Sequence, residues 1–319
     1  MSAEPRTAPA LRLGTRASLL AMTQSGHVAD ALRAATGRDV ELVPITTDGD
    51  VLTGPLAQLG GTGVFVAALR EALLRGECDL VVHSMKDLPT APVAGLRIGA
   101  VPPRAPQGDV LCARDGLTLD RLPHAARIGS GSPRRVAQLL RRRPDLRVDG
   151  IRGNVDTRLR KVHDGEFDAI VLAAAGLTRI GRTDEITERF DDTQWPTSAG
   201  QGALAVEVRD DDPATAALVT EVTDADAVAT SLLERAVLHR LEAGCAAPVG
   251  IAAHRTGDGV ALVAEVYALD GSRAVRAERR VARAAVGGDA GRARVADEIV
   301  AELLDAGAGD LADLAGTAR

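Results

Sequence analysis

The stretch that most constrains the fold is Leu80-Val81-Val82-His83-Ser84-Met85-Lys86-Asp87-Leu88-Pro89. An apolar, β-branched run breaks abruptly into hydroxyl, ammonium and carboxylate groups, and Pro89 ends any regular element. A strand buried on both faces reads this way, and open α/β sheets bind their ligands at the carboxyl ends of such strands. Lys86 is one of only two lysines in the chain, the other being Lys161; every other cation is arginine. A lone lysine beside a carboxylate at a strand end reads as a site. The competing reading is a surface ion pair at a turn.

Strand and helix patterns alternate around this stretch. Residues 11–14 read as a strand, 19–35 as a helix capped by Ser18, 40–45 as a strand, and 64–75 as a helix closed by Gly76. The glycine-rich segment 49–63 reads as a mobile loop, and 97–101 as a further strand. Val101-Pro102-Pro103-Arg104-Ala105-Pro106-Gln107-Gly108 cannot hold a regular element and reads as a crossing between domains. A second βα pattern follows, with strands at 127–129, 147–151 and 169–174. One helix follows Ser132 and Pro133, and another spans 154–163. Trp195-Pro196-Thr197-Ser198-Ala199-Gly200-Gln201-Gly202 reads as a return crossing, leading to a strand over 203–208.

Alternation of this kind predicts an α/β fold: two doubly wound domains with a cleft between them, and a smaller α+β C-terminal domain. The expected divisions are a disordered tail over 1–10, domain 1 over 11–103 and 200–222, domain 2 over 104–199, and domain 3 over 223–319. In the last, a helix with Val228, Leu232, Leu238 and Leu241 on its apolar stripe leads to a hairpin turning at Asp270-Gly271, then to a final helix over 292–304.

Composition narrows the function. The net charge is −6 and aromatics make up 2% of the 319 residues. A general nucleic-acid binder carries a basic domain, and single-strand binders interleave aromatics among their cations. Residues 127–161 hold eleven basic residues against three acids, a local charge of +8 that leaves −14 on the rest. Arg134, Arg135, Arg152 and Arg158 fall at predicted helix starts, where backbone N–H groups also favour anions. The segment reads either as a site for a small, carboxylate-rich ligand or as ordinary surface charge. Arg141-Arg142-Arg143, at a helix end, reads as a solvated face. A cytoplasmic protein that crosses no membrane fits the absence of a signal pattern and of a long apolar run.

Three cysteines are too few for a disulfide framework or a zinc cluster. Cys78 and Cys112 abut apolar strands and read as core residues. Cys245 sits among small neighbours in Glu242-Ala243-Gly244-Cys245-Ala246-Ala247-Pro248, which leaves its sulfur accessible.

Together these stretches resemble porphobilinogen deaminase, the hydroxymethylbilane synthase family. The resemblance is carried by seven segments in the family's order: Gly14-Thr15-Arg16-Ala17-Ser18, His83 to Pro89, Ser132-Pro133-Arg134-Arg135, Arg152-Gly153-Asn154-Val155-Asp156-Thr157-Arg158-Leu159, Ala174-Ala175-Gly176-Leu177-Thr178-Arg179, Gly200-Gln201-Gly202-Ala203 and Glu242-Ala243-Gly244-Cys245.

The resemblance implies two periplasmic-binding-protein-like domains plus a third. It also implies a dipyrromethane cofactor held through a thioether on Cys245, and head-to-tail condensation of four porphobilinogen molecules with loss of ammonia. Asp87 becomes the acid/base that protonates the departing amine and then stabilises the positive methylene carbon. Lys86 beside it favours the ionised form. Ser84, Lys86, Ser132, Arg134, Arg135 and Arg158 are expected to hold the cofactor. Arg16, Ser18, Arg152, Arg179 and Gln201 are expected to hold the substrate. The expected partners are porphobilinogen and its growing oligopyrrole chain, with no nucleic acid, no metal and a monomeric state. Asp48, Gln58 and Thr62 stand where the family often has basic residues. The rival class is a non-catalytic two-lobed binding protein for a polycarboxylate, which would need neither Asp87 nor an accessible Cys245.

Overall fold

The computed structural model describes residues 9–45, 63–241 and 247–314. It divides into two compact units, 1–103 with 204–225, and 104–203 with 226–319. Residues 1–8 of the expected tail, 49–62 of the expected loop and Cys245 lie outside the described residues, as do Asp48, Gln58 and Thr62, whereas Gly63 already belongs to a helix.

The first unit is built on a five-stranded sheet. Strands β1 (Leu11–Thr15), β2 (Val40–Pro44) and β3 (Leu80–Ser84) run parallel. Strand β4 (Leu96–Ala100) sits at the far edge. Between β3 and β4 lies a later strand, Leu204–Arg209, antiparallel to both. Helix α1 (Leu19–Thr36) begins at Ser18, whose hydroxyl accepts the Ala21 N–H at 3.4 Å, and stops at Gly37 in the left-handed conformation. Its buried Val28, Ala29 and Leu32 pack on Leu11, Leu13 and Leu80. Helix α2 (Gly63–Leu74) covers the opposite face through Leu69, Ala72 and Leu73, against Cys78 and Val81. Gly14 permits that packing, because a Cβ there would lie 2.8 Å from the Cys78 Sγ.

The second unit repeats the plan. Strands β5 (Asp109–Ala113), β6 (Arg127–Gly129), β7 (Arg147–Asp149), β8 (Ala169–Ala173) and the short β9 (Glu188–Arg189) form a sheet of order β7-β6-β8-β5-β9. With Leu204–Arg209 numbered β10, the first sheet has order β2-β1-β3-β10-β4. In each sheet three parallel strands are followed by an antiparallel one, β5 or β10, which is the strand just past a crossing. Helices α3 (Pro133–Arg142), α4 (Val155–His163) and α5 (Ala174–Arg179) flank the second sheet, and α6 (Pro213–Thr220) flanks the first. Both sheets are thus doubly wound, as expected. Sequence patterning missed β5, β9, α5 and α6; all are short, and β5 begins with a buried aspartate.

The same unit also contains a three-stranded antiparallel sheet, β11 (Val249–Thr256), β12 (Gly259–Tyr267) and β13 (Ala274–Ala282). It packs with helices α7 (Ala225–Arg240) and α8 (Asp289–Asp305) around one core. Of the expected α7 stripe Leu241 is buried, but Val228, Leu232 and Leu238 are half-buried, and Leu233 and Val237 take the inward positions. The cause is Glu234, fully buried on the inward face. It accepts Arg104 Nη1 and Nη2 at 2.9 and 2.8 Å, the Gly200 N–H at 2.6 Å and the Ala253 N–H at 2.7 Å. Arg104 Nε also donates to the Gln201 carbonyl at 2.9 Å. One carboxylate therefore fastens the start of one crossing, the end of the other, and β11. The crossing segments touch where Ala105 N–H meets the Gly202 carbonyl; Gly202 has φ +86, and a Cβ there would collide with the Ala105 oxygen.

Removing one member of a buried ion pair leaves the other uncompensated, at a cost of about 3–5 kcal/mol. Glu234→Ala is expected to lose stability on that scale in urea unfolding, and an unchanged midpoint would deny the clamp its role.

Candidate functional site

In the first unit, β1 and β3 are adjacent and parallel, so the segments that follow them emerge at the same edge of the sheet. Past β1, buried Thr15 accepts a hydrogen bond from Ser25 Oγ of α1 at 2.7 Å, which fixes the chain just before half-buried Arg16. Past β3, a 3-10 turn spans Met85–Asp87. Met85 is fully buried and plugs the turn into the core, while Lys86 and Asp87 are half-buried on it. Ser84 Oγ lies 3.0 Å from Gln24 Nε2 and 3.2 Å from its Oε1. Two expected ligand contacts, Ser18 and Ser84, thus already use their hydroxyls inside the protein, one as a helix cap and one as a tie to α1.

His83 lies behind the turn, its Nε2 2.9 Å from Glu207 Oε2 on β10. Arg70 of α2 donates to the same carboxylate three times, from Nε at 3.2 and 2.9 Å and from Nη2 at 2.7 Å. Burial works against a charge on Glu207, but the neighbouring His83 and the hydrogen bonds and charge of Arg70 prevail and lower its pKa from 4.5 to about 2.

In the second unit the decisive group is Asp109, the first residue of β5, fully buried. Arg135 grips it with Nη2 to Oδ1 at 2.6 Å and Nε to Oδ2 at 3.1 Å, and Arg134 Nη1 reaches Oδ2 at 2.9 Å. Trp195 Nε1 and Gln201 Nε2 donate to it at 3.2 and 2.8 Å. Desolvation alone would raise its pKa, yet the two guanidinium groups hold its carboxyl far below the usual carboxylate range. Two cations face one anion, so a positive charge is left over.

Arg134, expected to hold the cofactor, lies deep inside the second unit. It is 2% exposed, and its Nη1 also bonds Gln138 Oε1 at 2.7 Å and the Pro196 carbonyl at 3.1 Å. This side chain turns inward and braces Asp109 through Nη1, while its Nε and Nη2 are buried with no hydrogen-bond partner among the described residues. Ser132 occupies the helix-cap position but makes no side-chain cap bond. Arg143, expected on a solvated face, instead binds Asp145 and the carbonyls of Leu119 and Leu122.

Arg158 and Arg179 contrast with these. Arg158 Nε donates to the Gly153 carbonyl at 2.8 Å, and Arg179 Nη2 to the Gly202 carbonyl at 2.7 Å. Neither has a carboxylate partner among the described residues. Burial lowers the Arg179 pKa to about 10; burial, then the charge of Arg135, lowers that of Arg158. Both stay cationic at neutral pH, partly stripped of water and with no anion to compensate. Arg152 is exposed in the turn before α4.

Burial raises the Cys78 thiol to about 11 and the Cys112 thiol to about 12, so neither is a nucleophile at neutral pH. Among the described residues no His, Cys, Asp and Glu cluster could hold a metal ion, and no helix is long and apolar enough to cross a membrane. Sequence reasoning missed Asp109, Glu207 and Gln24. The first two had one visible signal: an acid set inside an apolar strand.

The family model "Porphobilinogen deaminase, dipyromethane cofactor binding domain" matches residues 11–217, and "Porphobilinogen deaminase, C-terminal domain" matches 228–299. The chain belongs to the porphobilinogen deaminase family. A porphobilinogen deaminase from Leifsonia xyli is 52% identical over 96% of this chain and 95% of its own. One from Thermobifida fusca is 55% identical over 86% of each chain. Porphobilinogen deaminase 1 of Streptomyces coelicolor is 50% identical over 96% of this chain and 98% of its own. The first porphobilinogen deaminase model ends inside α6 and so takes in both doubly wound sheets; the second begins in α7 and ends in α8.

Because Glu207 is more acidic folded than unfolded, it stabilises the first unit fully above about pH 4.5. That contribution, about 3 kcal/mol, fades as pH falls toward 2. Glu207→Gln is expected to flatten the acid limb of the stability profile; an unaltered limb in pH-dependent unfolding would show the carboxylate to be uncoupled from folding.

Proposed function

We propose that this chain is a hydroxymethylbilane synthase: a transferase that joins four porphobilinogen molecules head to tail, releases ammonia at each step, and frees the linear tetrapyrrole by hydrolysis. The observation that carries the reading is the pair Arg158 and Arg179, desolvated and without a carboxylate among the described residues, beside the excess positive charge around Asp109. Each pyrrole carries acetate and propionate groups, and a guanidinium offers a bidentate fork to either. A dipyrromethane, rich in carboxylates, fits such a surface. It would be tethered at Cys245, since burial disfavours the reactive thiolate of Cys78 and Cys112, and when bound it would supply the primer to which the first substrate is added.

Under this reading Arg135, Arg158, Ser132 and Lys86 hold the primer's acidic arms, and Arg134 supports Arg135 through their shared Asp109. Arg16, Arg152, Arg179 and Gln201 hold the incoming substrate, and Ser18 and Ser84 shape its surroundings through the loops they fasten. Asp87 gives a proton to the aminomethyl nitrogen as its carbon–nitrogen bond breaks. The resulting carboxylate faces the positive carbon left behind, and later takes up the proton released when the new carbon–carbon bond has formed. The enzyme works as a monomer in the cytoplasm, a setting consistent with free, buried Cys78 and Cys112.

Purified protein is expected to carry one dipyrromethane on Cys245 by intact mass and to consume porphobilinogen. An unmodified mass with no product would favour the polycarboxylate-binding alternative. Asp87→Asn is expected to keep the adduct but lose roughly a hundred- to ten-thousand-fold in kcat. Arg158→Ala removes a half-buried cation with no carboxylate partner among the described residues, so its melting temperature should hold or rise while cofactor loading falls. Full loading in that variant would take Arg158 out of the clamp.

A further inference from the structure

The chain has five aromatic residues, and three of them line one cavity of about 400 Å³ in the second unit. That volume falls within the range of about 300–1,000 Å³ usual for small-molecule sites. Phe190 and Trp195 stack with ring centroids 4.4 Å apart and an interplanar angle of 21°, and Tyr267 of β12 adds a third ring to the lining. The polar groups around these rings are already held. Gln138 of α3 donates from Nε2 to the Tyr267 hydroxyl and to the Pro196 carbonyl, both at 2.9 Å, and its Oε1 accepts Arg134. Trp195 Nε1 donates to Asp109. Buried Glu265 accepts Arg276 Nη1 at 3.1 Å. Exposed Asp191 accepts the Thr193 N–H and hydroxyl at 2.9 and 2.8 Å, and Arg142 meets Asp120 at 2.9 Å. The lining is thus fixed by contacts within the protein, as in a preformed site.

Arg141 differs from the other charged residues of the lining. It is exposed, sits in the last turn of α3, and has no carboxylate partner among the described residues. Aromatic walls favour a flat ring, by burial and by ring–ring contact. A guanidinium offers its fork to a carboxylate. We propose that this cavity binds a flat aromatic ring bearing a carboxylate, the ring among Phe190, Trp195 and Tyr267 and the carboxylate on Arg141. The competing reading makes Arg141 a helix-end cation and nothing more. The inference goes beyond the reaction described above and does not depend on it.

Trp195 is the chain's one tryptophan, so its fluorescence reports on the cavity directly. Titrating the purified protein with benzoate is expected to change that emission saturably. Benzyl alcohol keeps the ring without the charge, and acetate keeps the charge without the ring; both are expected to bind about tenfold more weakly or worse. Arg141→Glu is expected to weaken benzoate by about tenfold or more, with its thermal melt unchanged. Arg158→Ala, which alters the primer's clamp, is expected to leave the benzoate response as it is. Porphobilinogen, itself an aromatic carboxylate, is titrated into Asp87→Asn with and without Arg141→Glu. A response that Arg141→Glu removes makes the substrate pyrrole the occupant; a response that it leaves in place, beside lost benzoate binding, assigns the cavity to a different aromatic acid. No saturable change with benzoate overturns the proposal, as does undiminished binding by folded Arg141→Glu. Acetate binding as tightly as benzoate also overturns it, as does a response lost in Arg158→Ala, which would put the probe on the clamp. If Arg141→Glu does not fold, Arg141→Ala is judged by the same outcomes.

Discussion

One buried carboxylate facing two guanidinium groups sets the character of the second unit. Asp109 is out of water and would be neutral there alone; Arg134 and Arg135 keep it ionised. Because the cations outnumber the anion, the cluster does not close on itself. In a medium less polarisable than water, the unbalanced charge reaches further than it would on the surface. Arg158 lies within that reach and is held cationic at a cost. A fold selected for stability alone would supply a second acid.

The first unit solves a different problem. It presents one acid, Asp87, by ending a buried strand in a short turn plugged by Met85. Charge is nearly balanced there, with Arg70 and Glu207 paired inside and Lys86 and Asp87 adjacent on the turn. One unit carries an electrostatic surplus and the other a geometric constraint. Both lie at the carboxyl ends of parallel strands, where main-chain hydrogen bonding stops and side chains take over.

Much of this was legible in the residue order. The Leu80–Ser84 strand and the turn after it followed from an apolar run meeting Pro89, and helices α1 and α4 from Ser18 and Asn154 at their starts. What escaped was every case in which a polar residue faces inward. Glu234 rotates the stripe of α7, Asp109 hides the start of β5, and Arg134 resembles a surface cation until its helix is docked. Periodicity assigns charged residues to the outside, so a buried ion pair is invisible until both partners are located, and these partners lie 25 to 130 residues apart in sequence. The family resemblance supplied roles for such residues; only their environment separates a brace such as Arg134 from an uncompensated cation such as Arg158.

The strand order also bears on how the chain is made. Among the described residues β4 of the first sheet pairs only with β10, and β10 lies about a hundred residues further along. As the polypeptide leaves the ribosome, β3 therefore waits with one flank open, displaying the apolar Leu80-Val81-Val82 edge, while the entire second sheet is synthesised. Completion of the first half is deferred until the second half exists. The nascent protein thus passes through a stage in which the turn bearing Asp87 has already emerged but the strand that pairs beside it has not.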